Sequence, residues 1–171
     1  MEIVAIDFET ADNGRDSACA VGLVRIVDGQ VTDTDAFLIR PPREDFMFTH
    51  IHGITWNDVE DADPFEQAWP RFSKFLEPAD FFVAHYAEFD RGVLRACCEM
   101  AGVAAPETPF LCTVRLARQA WDIRPTKLPD VCAHFGIPLI HHDHASDAMA
   151  CAKITVEAIS QDFAIESARL K

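Results

Sequence analysis

The chain opens with an apolar run that carries two acids, Ile3-Val4-Ala5-Ile6-Asp7-Phe8-Glu9-Thr10. Residues two positions apart in a β-strand point to the same face, so Asp7 and Glu9 project together and Phe8 faces the other way. Two neighbouring carboxylates resist ionising together. Because Mg²⁺ and Mn²⁺ prefer such hard oxygen ligands, the pair predicts the start of a two-metal phosphoryl-transfer site.

Length and composition predict a single folded domain over residues 1–171. The chain is 49% hydrophobic and contains 13 Phe, which disfavours a disordered protein. We find neither a secretory leader nor a run near the roughly 20 apolar residues of a membrane span. The six cysteines include no CxxC pair, so we interpret them as buried thiols in a reducing cytosol. We therefore expect a cytoplasmic protein without a membrane partner.

The formal net charge of −13 limits the ways in which this chain can bind nucleic acid. Tight binding to long nucleic acid depends on Lys and Arg neutralising phosphates, and acids dominate here. A strand end bound beside metal ions remains compatible, because the ions supply local positive charge.

The first third of the sequence predicts an antiparallel meander. Strands are expected at residues 2–8, 18–27 and 31–39, and Asp28-Gly29 is typical of a two-residue hairpin turn. Asp63 then predicts a helix N-cap followed by Pro64 at the first helical position, and Pro70 is expected to kink or shorten that helix.

The rest of the chain alternates short strands with helices. Strands are expected at 81–84 and 110–113. Helices are expected at about 88–102, from the end of the second of these strands to about 121, at 128–135 and at about 146–159. This order predicts an α/β fold, a mixed sheet whose first three strands are antiparallel, with helices on both faces.

Three further segments carry polar side chains suited to chemistry: His85 to Asp90, His142 to Asp147, and His52-Gly53-Ile54-Thr55. Asp147 alone has a simpler interpretation, since acids in the first turn of a helix are favoured by the macrodipole. His142 precedes the helix by a few residues, and an imidazole with a pKa near 6.5 can take a proton from water near neutral pH.

Together these segments resemble the motifs of the DEDDh 3'-5' exonuclease family, within the ribonuclease H-like superfamily. Asp-Phe-Glu-Thr at 7–10 is similar to its first motif, His85 to Asp90 to its second, and His142 with Asp147 to its third. His52-Gly53-Ile54-Thr55 is also usual in the family. The four motifs occur in the family's order over residues 3 to about 159, whereas one motif alone would be a weak signal.

The resemblance implies a role for each matched residue. Asp7, Glu9, Asp90 and Asp147 would hold two Mg²⁺ or Mn²⁺ ions, and His142 would be the general base. The reaction implied is release of nucleoside 5'-monophosphates from the 3' end of single-stranded DNA, in proofreading or repair. The substrate-binding residues implied or considered are Thr10, His52, Gly53, Ile54, Tyr86 and Phe89.

Two positions qualify the resemblance. Tyr86 stands where the family usually has Asn, so it either provides a stacking surface for a base or packs structurally. A sister family has Tyr four residues before the last acid, but that position is Asp143, and Tyr86 is the only tyrosine.

Several alternatives stay open. The substrate is RNA or short oligonucleotides instead of DNA, or the domain is a non-catalytic module that binds a polymerase. A homodimer and a DNA polymerase subunit are both open as partners. His141, His142, Asp143 and His144 suggest a zinc site, although adjacent side chains rarely converge on one ion. His85 is favoured as a hydrogen-bonded structural histidine.

Overall fold

A computed structural model describes all residues, 1–171. Its five strands form one sheet in the order β3-β2-β1-β4-β5. Strands β1, β2 and β3 pair antiparallel, and β1, β4 and β5 pair parallel, which confirms the predicted mixed sheet. The strands are β1 Glu2–Thr10, β2 Ala18–Val27, β3 Gln30–Leu38, β4 Phe81–Ala84 and β5 Phe110–Cys112.

Helices cover both faces of this sheet, as predicted. They are α1 Thr49–His52, α2 Trp56–Val59, α3 Phe65–Leu76, α4 Glu88–Ala101, α5 Thr113–Trp121, α6 Leu128–Phe135 and α7 His144–Ser160, with a 3₁₀ turn at Ile165–Ala168. The alternation along β1 assigns its side chains to two cores. Ile6 and Phe8 pack with Phe72 of α3 on one face, and Ile3 packs with Ile154 of α7 on the other.

Helix α3 differs from its sequence-based prediction. The N-cap is Pro64 and not Asp63, no side chain caps the helix, and the helix continues through Pro70 to Leu76. The rings of Phe65 and Trp69 pack edge-to-face against the Phe72 ring, with centroid distances of 5.9 Å and 5.7 Å to it. We attribute the continuous helix to this packing, which offsets the single backbone hydrogen bond that proline cannot donate.

Helix α7 begins at His144, two residues before the predicted start. Asp143 is its N-cap and accepts a hydrogen bond from the Ser146 N–H at 2.8 Å. The first turn of α7 lies directly against β2 at Gly22, where a Cβ atom would lie 2.0 Å from the His144 carbonyl oxygen. Gly22 is paired with Asp7 of β1, so the missing side chain lets α7 approach the acids of β1.

The remaining predictions concern the cysteines and membrane association. All six cysteines are free and buried, as the sequence analysis predicted. None of the helices combines the length and the apolar character that crossing a membrane requires.

Candidate active site

A cavity of about 450 Å³ opens at the carboxyl end of β1. Its walls come from β1, from the first turns of α4 and α7, and from the loops that precede α6 and α7. Four acids line it together with polar and apolar side chains. The lining residues are Asp7, Phe8, Glu9, Thr10, Phe48, Ile51, His85, Tyr86, Phe89, Asp90, Lys127, Leu128, His141, His142 and Asp147.

The fold brings together the four acids that the motifs single out. Asp7, Glu9 and Asp147 each offer a carboxylate oxygen, and these oxygens lie within 4.8 Å of one another. Asp90, in the first turn of α4, is only 2% exposed. Its Oδ1 accepts a hydrogen bond from the Phe8 N–H at 3.0 Å, which fixes this carboxylate against the strand that carries the other two.

The acids repel one another in a poorly solvated place. Burial, followed by the charges of Asp90 and Asp147, raises the pKa of Asp7 well above its usual value. Burial and then Asp147 raise the pKa of Glu9 to about 8, and burial raises the pKa of Asp90 to about 7. No lysine or arginine forms an ion pair with any of the four. Divalent cations would remove this repulsion.

Asp147 shows the fit to a cation most directly. Its Oδ2 accepts the His142 N–H at 3.0 Å and lies 3.1 Å from the His141 Nδ1. Its Oδ1 is buried and has no hydrogen-bond partner. A buried carboxylate oxygen without a partner is costly, whereas an oxygen ligand is what Mg²⁺ or Mn²⁺ needs. The residues present therefore fit a divalent metal ion.

His142 lies beside these acids on an exposed turn. Its backbone is left-handed (φ 68°), and its ring stacks on the His141 ring with centroids 3.8 Å apart. Partial burial, followed by the neighbouring His141, lowers the pKa of His142. A neutral imidazole is the form that accepts a proton, so the geometry is compatible with the predicted general base.

His85 has the surroundings of a structural histidine. Its Nε2 lies 2.9 Å from the Thr126 carbonyl oxygen and its Nδ1 lies 2.7 Å from the Thr113 hydroxyl. A carbonyl only accepts, so Nε2 carries the proton. Burial lowers the pKa of His85 to about 4, and the neutral ring ties the end of β4 to the loop before α6.

The predicted substrate contacts divide into two groups. Thr10, Tyr86 and Phe89 line the cavity, and the two rings are 52% and 39% exposed. His52, Gly53 and Ile54 lie beside the cavity and do not line it.

His52 holds its loop in place. Its Nδ1 accepts the Ile54 N–H at 3.0 Å, so its Nε2 donates to the Thr10 carbonyl oxygen at 3.2 Å. The neighbouring Phe48 and Ile51 line the cavity instead.

Seven lining residues were absent from the predicted site: Phe8, Phe48, Ile51, His85, Lys127, Leu128 and His141. Phe8 was expected to face the other side of the strand and His85 to be structural, and Phe48, Ile51 and Leu128 carry no signal beyond their apolar character. Lys127 lies outside all of the motifs. His141 was considered only as a zinc ligand, and its contact with Asp147 depends on the turn at His142.

Comparisons with known proteins identify the family of this chain. Residues 4–155 match the exonuclease family (RNase_T). A PolC-type DNA polymerase III of Thermotoga petrophila is 34% identical over 155 residues, which are 88% of this chain and 11% of that protein. The 3'-5' exonuclease DinG of Bacillus subtilis is 33% identical over 119 residues, which are 67% of this chain and 13% of that protein.

The fold has a solved counterpart. The nuclease domain of 3'hExo, a DEDDh family member bound to rAMP, superposes with a TM-score of 0.79 at 18% identity, over 94% of this chain and 92% of that one. The mixed sheet with helices on both faces has the ribonuclease H-like fold of that nuclease domain. This chain belongs to the exonuclease family, and its motifs resemble those of the DEDDh 3'-5' exonucleases. Enzymes of this group use divalent metal ions.

Proposed function

We propose that residues 1–171 act as one exonuclease domain that uses two Mg²⁺ or Mn²⁺ ions to release nucleoside 5'-monophosphates from single-stranded DNA 3' ends. One observation carries the proposal. Four carboxylates from three separate segments share one cavity, no lysine or arginine pairs with them, and a buried oxygen of Asp147 has no partner.

Each residue has a defined task in this reaction. Asp7, Glu9, Asp90 and Asp147 would hold the cations, which supply Lewis-acid activation of water and charge stabilisation at the leaving oxygen. His142 accepts one proton from the water whose oxygen bonds to the terminal phosphorus. The bond from that phosphorus to the 3'-oxygen of the preceding nucleotide breaks, and this oxygen acquires a proton from solvent.

The rim of the cavity suits an unpaired strand end. Tyr86 and Phe89 present exposed aromatic rings beside the acids, and bases without a partner strand stack on such rings. Lys127 is the only lysine or arginine in the lining, which provides one cation for a backbone phosphate.

DNA is favoured over RNA by the relatives, since the PolC-type protein is a DNA polymerase III. This chain spans only 11% of it, so a role in proofreading or repair, and association with a polymerase subunit, are part of the proposal. RNA is the second candidate, because the 3'hExo domain was solved with rAMP. A cytoplasmic location and a homodimer stay predictions.

The test compares 3'-labelled single-stranded DNA, single-stranded RNA and dinucleotides in one Mn²⁺ buffer, with EDTA as the control. We expect labelled mononucleotide from DNA first, no release in EDTA, and no release by Asp147→Ala. Faster release from RNA would reassign the substrate. Full activity in EDTA, or in Asp147→Ala, would contradict the proposed site. No release from any substrate would favour the non-catalytic module.

A further inference from the structure

A second group of metal-ligand atoms overlaps the acidic cavity. Ring nitrogens of His141 and His142 and a carboxylate oxygen of Asp147 lie within 4.8 Å of one another. The sequence analysis counted against this site, because adjacent side chains in a loop rarely converge on one ion. The left-handed turn at His142 removes that alternation, and the two rings stack with an interplanar angle of 23°.

This donor set differs in chemistry from the four carboxylates. Two imidazoles and one carboxylate suit a borderline ion such as Zn²⁺, whereas Mg²⁺ selects oxygen ligands. Asp147 is 4% exposed and one of its oxygens has no partner, which is a second observation that points to a ligand in this place.

We propose that His141, His142 and Asp147 form a binding site for Zn²⁺ that removes His142 and Asp147 from the nuclease reaction. Three protein ligands with a fourth position open to water are the usual composition of an exchangeable zinc site. The binding of Zn²⁺ does not depend on the proposed function. The inhibition of nucleotide release does rest on the proposed function.

The geometry requires only small movements. Ligand atoms about 2 Å from a tetrahedral Zn²⁺ lie about 3.3 Å apart, and the histidine rings that must rotate are on the surface, with the His141 side chain 39% exposed. The His141 Nδ1, now 3.1 Å from Asp147 Oδ2, becomes a ligand when its proton moves to Nε2 or is released to water. The other oxygen of Asp147 needs no hydrogen bond to be broken.

The expected consequence is competition between two uses of the same residues. Zn²⁺ lies far above Mg²⁺ in affinity for sites with nitrogen ligands, so micromolar Zn²⁺ should act in the presence of millimolar Mg²⁺. An imidazole bound to an ion cannot accept the proton of water, and hydrolysis should stop without displacement of the substrate.

The binding experiment titrates Zn²⁺ into the full chain in excess Mg²⁺, with affinity measured against a chromophoric chelator. The variant His141→Phe keeps an aromatic ring for stacking but has no ligand atom, and His142→Phe removes the second imidazole. The matched control is His134→Phe, since His134 lies on α6 and its ring packs on Phe135 with centroids 4.8 Å apart.

We expect one Zn²⁺ per wild-type chain and an affinity at least about tenfold weaker in His141→Phe and in His142→Phe, since even outer-shell changes at metal sites cost about tenfold or more. His134→Phe should bind like wild type. Wild-type affinity in His141→Phe, or no tight Zn²⁺ in the wild type, would overturn the proposal. Equal melting temperatures in Mg²⁺ show that the variants are folded.

The activity experiment separates this inference from the proposed function. Zn²⁺ should inhibit nucleotide release by the wild type, and each variant is compared with its own rate without Zn²⁺. Half-inhibition of His141→Phe should require at least about tenfold more Zn²⁺. Equal inhibition of the wild type and of His141→Phe would overturn the inhibitory role of the site. A wild-type chain that binds Zn²⁺ but releases no nucleotide in Mg²⁺ would contradict only the proposed function.

Discussion

Two groups of acids lie on either side of residues 10–11, and their surroundings are opposite. Asp12 and Asp16 share Arg43, with oxygens 2.8 and 2.7 Å from its nitrogens, and these hydrogen bonds lower the pKa of both carboxyls. Asp7 and Glu9 share no cation, and their pKa values are raised. The first group is paired with a cation of the chain, so it serves structure. The second group is arranged to be neutralised from outside.

The largest expected difference between the groups is in catalysis. Asp7→Asn should lower the rate of nucleotide release by more than about 100-fold, because even outer-shell groups at metal sites contribute about 10- to 100-fold. Asp12→Asn, the same substitution in the Arg43 group, should leave the rate close to wild type. Single-turnover rates in Mn²⁺ measure both, and equal losses would show that the two groups are not functionally distinct.

The close approach at Gly22 provides the next test, because it holds α7 and Asp147 near the acids of β1. Gly22→Ala places a Cβ 2.0 Å from the backbone oxygen of His144, and we expect a loss of about 1–3 kcal/mol in the free energy of unfolding, as for other overpacked sites. Nucleotide release should fall with it.

The matched control is Gly92→Ala. Its Cβ would lie 2.2 Å from Arg15 Nη1, a side-chain atom that can shift if it gives up its hydrogen bonds to the Glu88 and Phe89 carbonyl oxygens, whereas at Gly22 the backbone itself must move. Urea unfolding and activity should therefore both fall less than in Gly22→Ala. A Gly22→Ala chain with wild-type stability and activity would disprove the role given to this contact.

Without metal, substitutions in the two groups should change the stability of the folded chain in opposite directions. In EDTA, Asp7→Asn removes a charge from a repelling cluster and should raise the melting temperature. Arg43→Gln leaves two carboxylates unpaired and should lower stability by about 1 kcal/mol or less, because solvent screens a guanidinium that is 40% exposed. Changes of the same sign in both variants would contradict the comparison.

The smallest effect is in the pH dependence of the Arg43 group. Asp12 and Asp16 have pKa values below their usual value of 3.8 in the folded chain, so their stabilisation is present above that value and is lost as pH falls through the lowered pKa. The stability difference between wild type and Arg43→Gln should therefore stay constant well above pH 3.8 and shrink as pH falls below that value. A constant difference in urea midpoints would show that Arg43 acts through packing.

Much of the fold follows from local patterns. The alternation at Asp7, Phe8 and Glu9 predicts which side of the sheet each side chain occupies, and Asp28-Gly29 predicts the hairpin, with φ of 48° and 77°. Pro70 does not shorten α3, because the propensity of proline acts on one turn whereas aromatic packing acts along the whole of the helix.

The acids of the site were predictable and their neighbours were not. Short motifs name Asp7, Glu9, Asp90, His142 and Asp147, and the structure places all of them around one cavity. Ile51 and His141 depend on turns that orient a side chain, and no periodic signal reports such turns. The assignment of His52 as a substrate contact came from the resemblance, whereas its hydrogen bond to the Thr10 carbonyl oxygen is a tertiary contact.

The central claim is that the acids of the cavity are neutralised by divalent cations, and melting temperature tests it most directly. Cations that bind the folded chain alone raise stability by linkage. We predict that millimolar Mg²⁺ or Mn²⁺ raises the melting temperature of the wild type relative to EDTA, raises that of Asp12→Asn equally, and has much less effect on Asp7→Asn. An unchanged wild-type melting temperature, or equal shifts in all three chains, would contradict the account.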